Sequence, residues 1–178
     1  MNILAVVGAG RKSGKTTTVE ALVEELSSRG HRVGTIKQIH EEYFSIDKEG
    51  KDTWRHTRAG AEMVVSAAPR EVCAIKSLRG KDRFKEAVHL LEGESLDYIV
   101  MEGDPRISLP RILVVRTTEE AKNFLETLDH VICISSLTEE GIDKDALEVP
   151  VFNPLDDVKE MADLVEKVFE RIVPVAGG

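Results

Sequence analysis

Hydrophobic positions along this chain alternate between two periods. An unbroken apolar run, Ile3 to Val7, comes first and has the character of a parallel strand buried on both faces. Val19, Leu22, Val23 and Leu26 then recur at i, i+3, i+4 and i+7, which predicts a helix over 15–28, closed by Gly30. Further strands are predicted at 32–37, 62–67, 72–78, 97–102, 111–116 and 130–135, with a short one at 149–152. Between them the pattern predicts helices at 53–59, around Phe84, Ala87, Val88 and Leu91, and at 119–125. The last helix carries an apolar stripe of Val158, Met161, Ala162, Val165, Val168, Phe169 and Ile172. Strands alternating with helices predict an α/β fold with a doubly wound, largely parallel sheet. Residues 62–78, two strands around a turn at Pro69, predict a small antiparallel β insertion on that sheet's edge. Residues 38–52 are polar and irregular. A loop of that length is functional or mobile, and with few apolar anchors it is expected to order only around a ligand.

The bulk properties narrow the class. No repeat or Pro/Gly/Ser linker divides the 178 residues, which read as one domain over 1–178. A net charge of −8 argues against a nucleic-acid surface, which needs a basic face. The basic residues Lys76, Arg79, Lys81, Arg83 and Lys85 are interleaved with acids and read as a solvated face. No apolar stretch approaches the ~18–20 residues of a membrane span. The first apolar run leads straight into a glycine-rich loop, which is not how a signal peptide ends. Cys73 and Cys133 sit in apolar segments without metal-ligand spacing, read as small core residues, and indicate a reducing cytoplasm.

Chemistry enters at Gly8-Ala9-Gly10-Arg11-Lys12-Ser13-Gly14-Lys15-Thr16-Thr17, between the first strand and the first helix. That is the context a phosphate-binding P-loop requires. Small residues let successive N–H groups converge on an anion, and the helix N-terminus adds its positive end. Gly10, Arg11, Lys12, Ser13, Gly14, Lys15, Thr16 and Thr17 are the candidate phosphate contacts. Lys15 would stabilise charge on the β- and γ-phosphates, and Thr16 would serve Mg²⁺. The strict motif's first glycine falls on Ala9, with Gly8 and Gly10 on either side. Arg11 and Lys12 are also candidates for a charge donated across a dimer interface. The segment is read as binding a nucleotide.

Such a loop needs an acid at a neighbouring strand end to hold the metal. Glu102, at the end of 97–102, is the first candidate and Asp104 its rival. Lys37, at the end of another predicted strand, can face phosphate. Asp47 and Asp52, in the polar loop, can position water or Mg²⁺, although Asp52 can equally cap the helix that follows. The guanine-reading Asn-Lys-x-Asp is absent. Ser135-Ser136-Leu137 and Asn153-Pro154-Leu155-Asp156 can contact a base or simply form turns.

These segments in order, the P-loop, Thr35-Ile36-Lys37-Gln38-Ile39-His40, Asp47 to Asp52, Arg58-Ala59-Gly60-Ala61 and Val100-Met101-Glu102-Gly103, resemble the molybdopterin-guanine dinucleotide biosynthesis protein B (MobB) family. The family commonly has His where Gln38 stands, and Glu-Gly-Phe-Lys where this chain has Glu102-Gly103-Asp104-Pro105, with Arg106 one register later. The resemblance implies a P-loop NTPase-like fold, binding of GTP with Mg²⁺, slow hydrolysis and a homodimer. It also implies cooperation with the guanylyltransferase that attaches GMP to molybdopterin or its metal-loaded form. Two other functions fit the residues: a small-molecule kinase whose 38–52 loop binds the acceptor, and a non-catalytic adapter that presents nucleotide or cofactor to partner enzymes.

Overall fold

The computed structural model describes residues 1–172 apart from Ala9, Arg11, Pro105 and Glu139. In chain order the elements are β1 (Asn2–Gly8), α1 (Lys15–Ser28), β2 (Val33–Lys37), α2 (Asp52–Arg58), β3 (Met63–Ala67), β4 (Val72–Lys76) and α3 (Arg83–Leu91). After these come β5 (Tyr98–Glu102), β6 (Arg111–Val114), α4 (Thr118–Leu125), β7 (Val131–Ser135), β8 (Val151–Phe152) and α5 (Val158–Ile172). Contacts divide the chain into two compact units, residues 1–38 with 91–178, and residues 39–90.

The first unit holds a six-stranded sheet in the order β2-β5-β1-β6-β7-β8, with every pairing parallel. The apolar run of β1 lies at its centre because Leu4 to Val7 are buried on both faces. Even-numbered residues Leu4 and Val6 pack with Val100, Ile112 and Val114 against Val19, Leu22 and Leu26 of α1 and Met161, Ala162 and Val165 of α5. Odd-numbered Ala5 and Val7 pack with Leu113 and Ile134 on the opposite face, under Ala121 of α4. Side chains alternate with period two along a strand, so a run that is apolar throughout is what a central strand requires. Cys133 lies fully buried in the first of these layers, as expected, and burial pushes its thiol up to about 12.

Chain direction places the chemistry. From β1 the chain passes beyond one neighbouring position to β2, and β5 later fills the gap between them. The carboxyl ends of β1, β5 and β2 are therefore adjacent, with Val6 and Lys37 both in register with Glu102. An open α/β sheet presents its ligand crevice at such ends.

The unit of residues 39–90 differs in kind. β3 and β4 pair antiparallel as a two-stranded sheet of their own, not as an added edge of the larger sheet. Val64 is the one buried residue among those described in this unit. Cys73, expected in a core, is exposed: a two-stranded ribbon has too little cover to bury both its faces. Residues 39–51 contain no helix or strand, and Tyr43, Phe44 and Ile46 stand exposed there, so the segment is less polar in its surface than its composition suggested. Asp52 does not cap α2. It is the first helical residue, where its charge favours the helix N-terminus.

A charged network fastens α1 to α5. Arg29 donates to Glu25, Asp163, Glu166 and the carbonyl of Lys159, and His31 Nε2 lies 2.7 Å from Glu166 Oε1. The hydrogen bond from His31, then those of Arg29, hold the Glu166 carboxyl below the usual carboxylate range. A depressed carboxyl contributes stability while ionised, above its unfolded pKa of ~4.3, and loses it as pH falls through the lower folded value. Glu166→Gln is accordingly expected to cost roughly 1 kcal/mol at pH 7. Urea unfolding of both proteins between pH 7 and pH 3 should show that difference shrinking with acid.

Candidate functional site

The loop between β1 and α1 is held by backbone geometry. Gly8 tolerates no side chain, since a Cβ there would sit 2.4 Å from the Val114 carbonyl oxygen. Gly14 stands at the helix N-cap with φ +105°, left-handed backbone that L side chains resist. A glycine cap offers no side-chain oxygen, and α1 has no side-chain cap bond. The first-turn N–H groups thus keep their donors for an anion. Gly10 and Lys12 both take positive φ, +66° and +61°.

Lys15 is the cation of this loop. Its ammonium donates to the carbonyls of Gly8 (3.3 Å) and Gly10 (2.7 Å) and to the Ser13 hydroxyl (2.9 Å). All three acceptors belong to the loop, so the charge is centred on the turn rather than on a distant acid. Thr16 follows Lys15 in the first turn of α1, and its Oγ1–H is shared between both carboxylate oxygens of Glu102, each at 3.1 Å. Lys37 donates to Glu102 Oε2 at 3.2 Å. One carboxylate at the end of β5 is thus shared by the first turn of α1 and the end of β2.

The rival acid faces elsewhere. Asp104 accepts from the Arg106 N–H at 2.9 Å and pairs with Arg111 at 3.4 Å. Arg111 is itself buried at the start of β6, where it donates to the carbonyls of Ile107, Leu109 and Asp129. Oxygen donors from Thr16 and Glu102 meeting at one point fit a hard cation such as Mg²⁺, which takes one or two protein ligands and leaves its other positions to water and phosphate. Among the described residues there is no group of three or more His, Cys, Asp or Glu able to cage a metal without such help.

The structure brings together Gly10, Ser13, Gly14, Lys15, Thr16, Glu102 and Lys37 of the predicted site, with Lys12 and Thr17 on the same loop and helix. Arg11 lies outside the described residues. Asp47 and Asp52 belong to the other unit. Asp47 accepts from the Thr53 hydroxyl at 2.7 Å, and Asp52 lies 3.7 Å from Arg55. Of the segments weighed as base contacts, Ser135 bonds Thr18 in the interior at 2.8 Å, and Asn153 organises its own turn through Leu155 and Asp156. One residue was not anticipated: Arg116, just past β6, donates to the Lys12 carbonyl. Its only sequence signal is a position at the end of an apolar strand.

Comparisons with known proteins agree with this architecture. The family model described as molybdopterin guanine dinucleotide synthesis protein B matches residues 3–137. A molybdopterin-guanine dinucleotide biosynthesis adapter protein of Haemophilus influenzae is 29% identical over 86% of this chain and 82% of its own. Its namesake from Escherichia coli is 26% identical over 94% of each chain. In fold, the crystal structure of a MobB protein homolog from Bacillus stearothermophilus superposes with a TM-score of 0.69 at 24% identity, over 94% of this chain and 99% of that one.

Lys15→Ala is expected to remove ligand-linked stabilisation without unfolding the chain, since its ammonium bonds only within the loop. At nucleoside triphosphate concentrations 100-fold above a dissociation constant, the wild type should gain about 2.7 kcal/mol and the variant nothing. Thermal unfolding with and without the nucleotide reads the difference.

Proposed function

The chain belongs to the molybdopterin guanine dinucleotide synthesis protein B family, and on that premise we propose that it binds GTP with Mg²⁺ and acts as an adapter in attaching GMP to molybdopterin. The observation that carries this reading is the convergence of Lys15, Thr16 and Glu102 on one strand–loop–helix turn. Lys15 and the first-turn N–H groups bind the phosphates, and Thr16 with Glu102 holds the metal or its water. Ser13, Gly14 and Gly10 shape the cradle, Lys12 and Thr17 border it, and Lys37 supplies a second cation. Asp47 and Asp52 are assigned to the segment that responds to nucleotide. The partner is the guanylyltransferase that uses molybdopterin or its metal-loaded form. Free Cys73 and Cys133 accord with work in a reducing cytoplasm.

Hydrolysis in this reading is slow. Both acids at the end of β5 are engaged, Glu102 by Thr16 and Lys37 and Asp104 by Arg106 and Arg111, so neither stands ready to activate water. That same observation favours the second reading, an adapter that holds GTP without turning it over. Calorimetry of GTP against ATP with Mg²⁺, followed by single-turnover hydrolysis, separates the two. Tight GTP binding with phosphate release no faster than in buffer establishes the pure adapter, and equal affinity for ATP removes the guanine assignment. For the metal, Glu102→Gln should weaken GTP binding about tenfold with Mg²⁺ present, on the order of one lost charge-assisted bond, and hardly at all with chelator. Equal losses in both conditions would make Glu102 a structural residue.

Self-association belongs to the same proposal. On β3 and β4 the register puts Met63, Val65, Ala67, Val72 and Ala74 on one face with Lys76 at its end, and Met63, Val65 and Val72 are 43%, 55% and 71% exposed. A two-stranded ribbon with one apolar face uncovered is marginal by itself, and a second copy offers the same face in return. Val65→Glu should convert a dimer into monomers in sedimentation velocity while leaving GTP binding intact. A variant that sediments as the wild type does would remove this face from the interface.

A further inference from the structure

Glu102 carries two partners at once, and they have different chemistry. The Thr16 hydroxyl spans both carboxylate oxygens, whereas the Lys37 ammonium takes Oε2 alone. Glu102 is mostly enclosed, with its side chain 15% exposed, while that of Lys37 is 60% exposed. The Lys37 backbone is fixed, because β2 runs in register with β5 and the next residue, Gln38, donates its N–H to the Glu102 carbonyl at 2.9 Å. Its side chain is free to swing at little loss of packing. The contrast matters because a divalent cation at Thr16 and Glu102 would stand beside a resident ammonium on the same carboxylate, and like charges at that range repel strongly where water is partly excluded.

We propose that Lys37 is the resident counter-cation of Glu102, displaced when a divalent metal takes Thr16 and Glu102 and then free to pair with the nucleotide's phosphate oxygens. The proposal rests on the metal role assigned to Glu102 above. Lys37 in this scheme is a positioning residue with two alternative anions, a carboxylate without metal and a phosphate with it. Without metal it keeps Glu102 neutralised and aimed at Thr16. With metal it contributes a second positive charge to the triphosphate, in addition to that of Lys15. Because residue 38 is the last of the first unit before the chain enters residues 39–90, the exchange also takes place at the strand end leading into that unit.

The scheme makes the charge of Lys37 act in opposite directions on two ligands, which a merely structural residue does not do. Lys37→Met keeps the stem and removes the charge. Mn²⁺ binding to nucleotide-free protein, followed by electron paramagnetic resonance, should tighten on the order of tenfold in Lys37→Met. GTP affinity at saturating Mg²⁺, measured by calorimetry, should fall on the order of tenfold in the same variant. Lys37→Arg, which retains the charge, should keep Mn²⁺ affinity near wild type, and thermal unfolding should show all variants folded. If Lys37→Met leaves Mn²⁺ affinity unchanged or lowers it while Glu102→Gln abolishes binding, the counter-cation role is wrong and the metal role survives. If Glu102→Gln leaves Mn²⁺ binding intact, or no protein in the set binds Mn²⁺, both fail together.

Discussion

The hydrogen bond that the Thr16 hydroxyl shares between the two oxygens of Glu102 depends on a single topological fact, the insertion of β5 between β1 and β2. Thr16 is fixed by the turn that follows β1, and Glu102 by the end of β5, in register with Val6. Shifting β5 by one residue would turn the carboxylate to the opposite face of the sheet, since side chains alternate along a strand. The Val6 and Glu102 register is held in turn by apolar residues on both faces, Leu4, Ile99, Val100 and Met101 among them, all essentially inaccessible to solvent. Burial here is what gives a polar site its precision. The central strands cannot slip without exposing a layer of core on each side.

The same sheet shapes the loop between β1 and α1. Gly8 passes so close to the Val114 carbonyl that only hydrogen fits, and Gly14 caps α1 without a side-chain oxygen. Together these leave the first turn of α1 without a side-chain cap, beside the Lys15 ammonium, which is bonded to loop oxygens. Charge in this neighbourhood is uneven: Lys37 pairs with the carboxylate of Glu102, while the Lys15 ammonium bonds only neutral loop oxygens. A site of that composition favours a polyanion that brings its own divalent cation.

The two compact units distribute stability unevenly. Residues 1–38 and 91–178 own two hydrophobic layers and the ion network of Arg29, His31 and Glu166. Residues 39–90 have one buried residue, a short ribbon and many exposed large apolar side chains, Tyr43, Phe44 and Ile46 among them. Segments with so few buried contacts open at lower free energy than a packed core.

Local patterns determined much of this protein. The period of β1 and α1, the glycines around Lys15 and the apolar strand ending at Glu102 are each readable within a dozen residues, because strand and helix periodicity and turn chemistry are local properties. The ordered motifs identified the family for the same reason. Other features were decided only by the tertiary structure. Which acid faces Thr16 depended on register between strands that lie far apart in sequence, so Asp104 stood as a rival to Glu102 until β5 was placed. The exposure of Cys73 followed from the separate pairing of β3 and β4, which nothing near Cys73 encodes. Arg116 reached the loop only because β6 runs beside β1. Contacts of that kind are set by strand order, and strand order is the outcome of burying the whole chain at once.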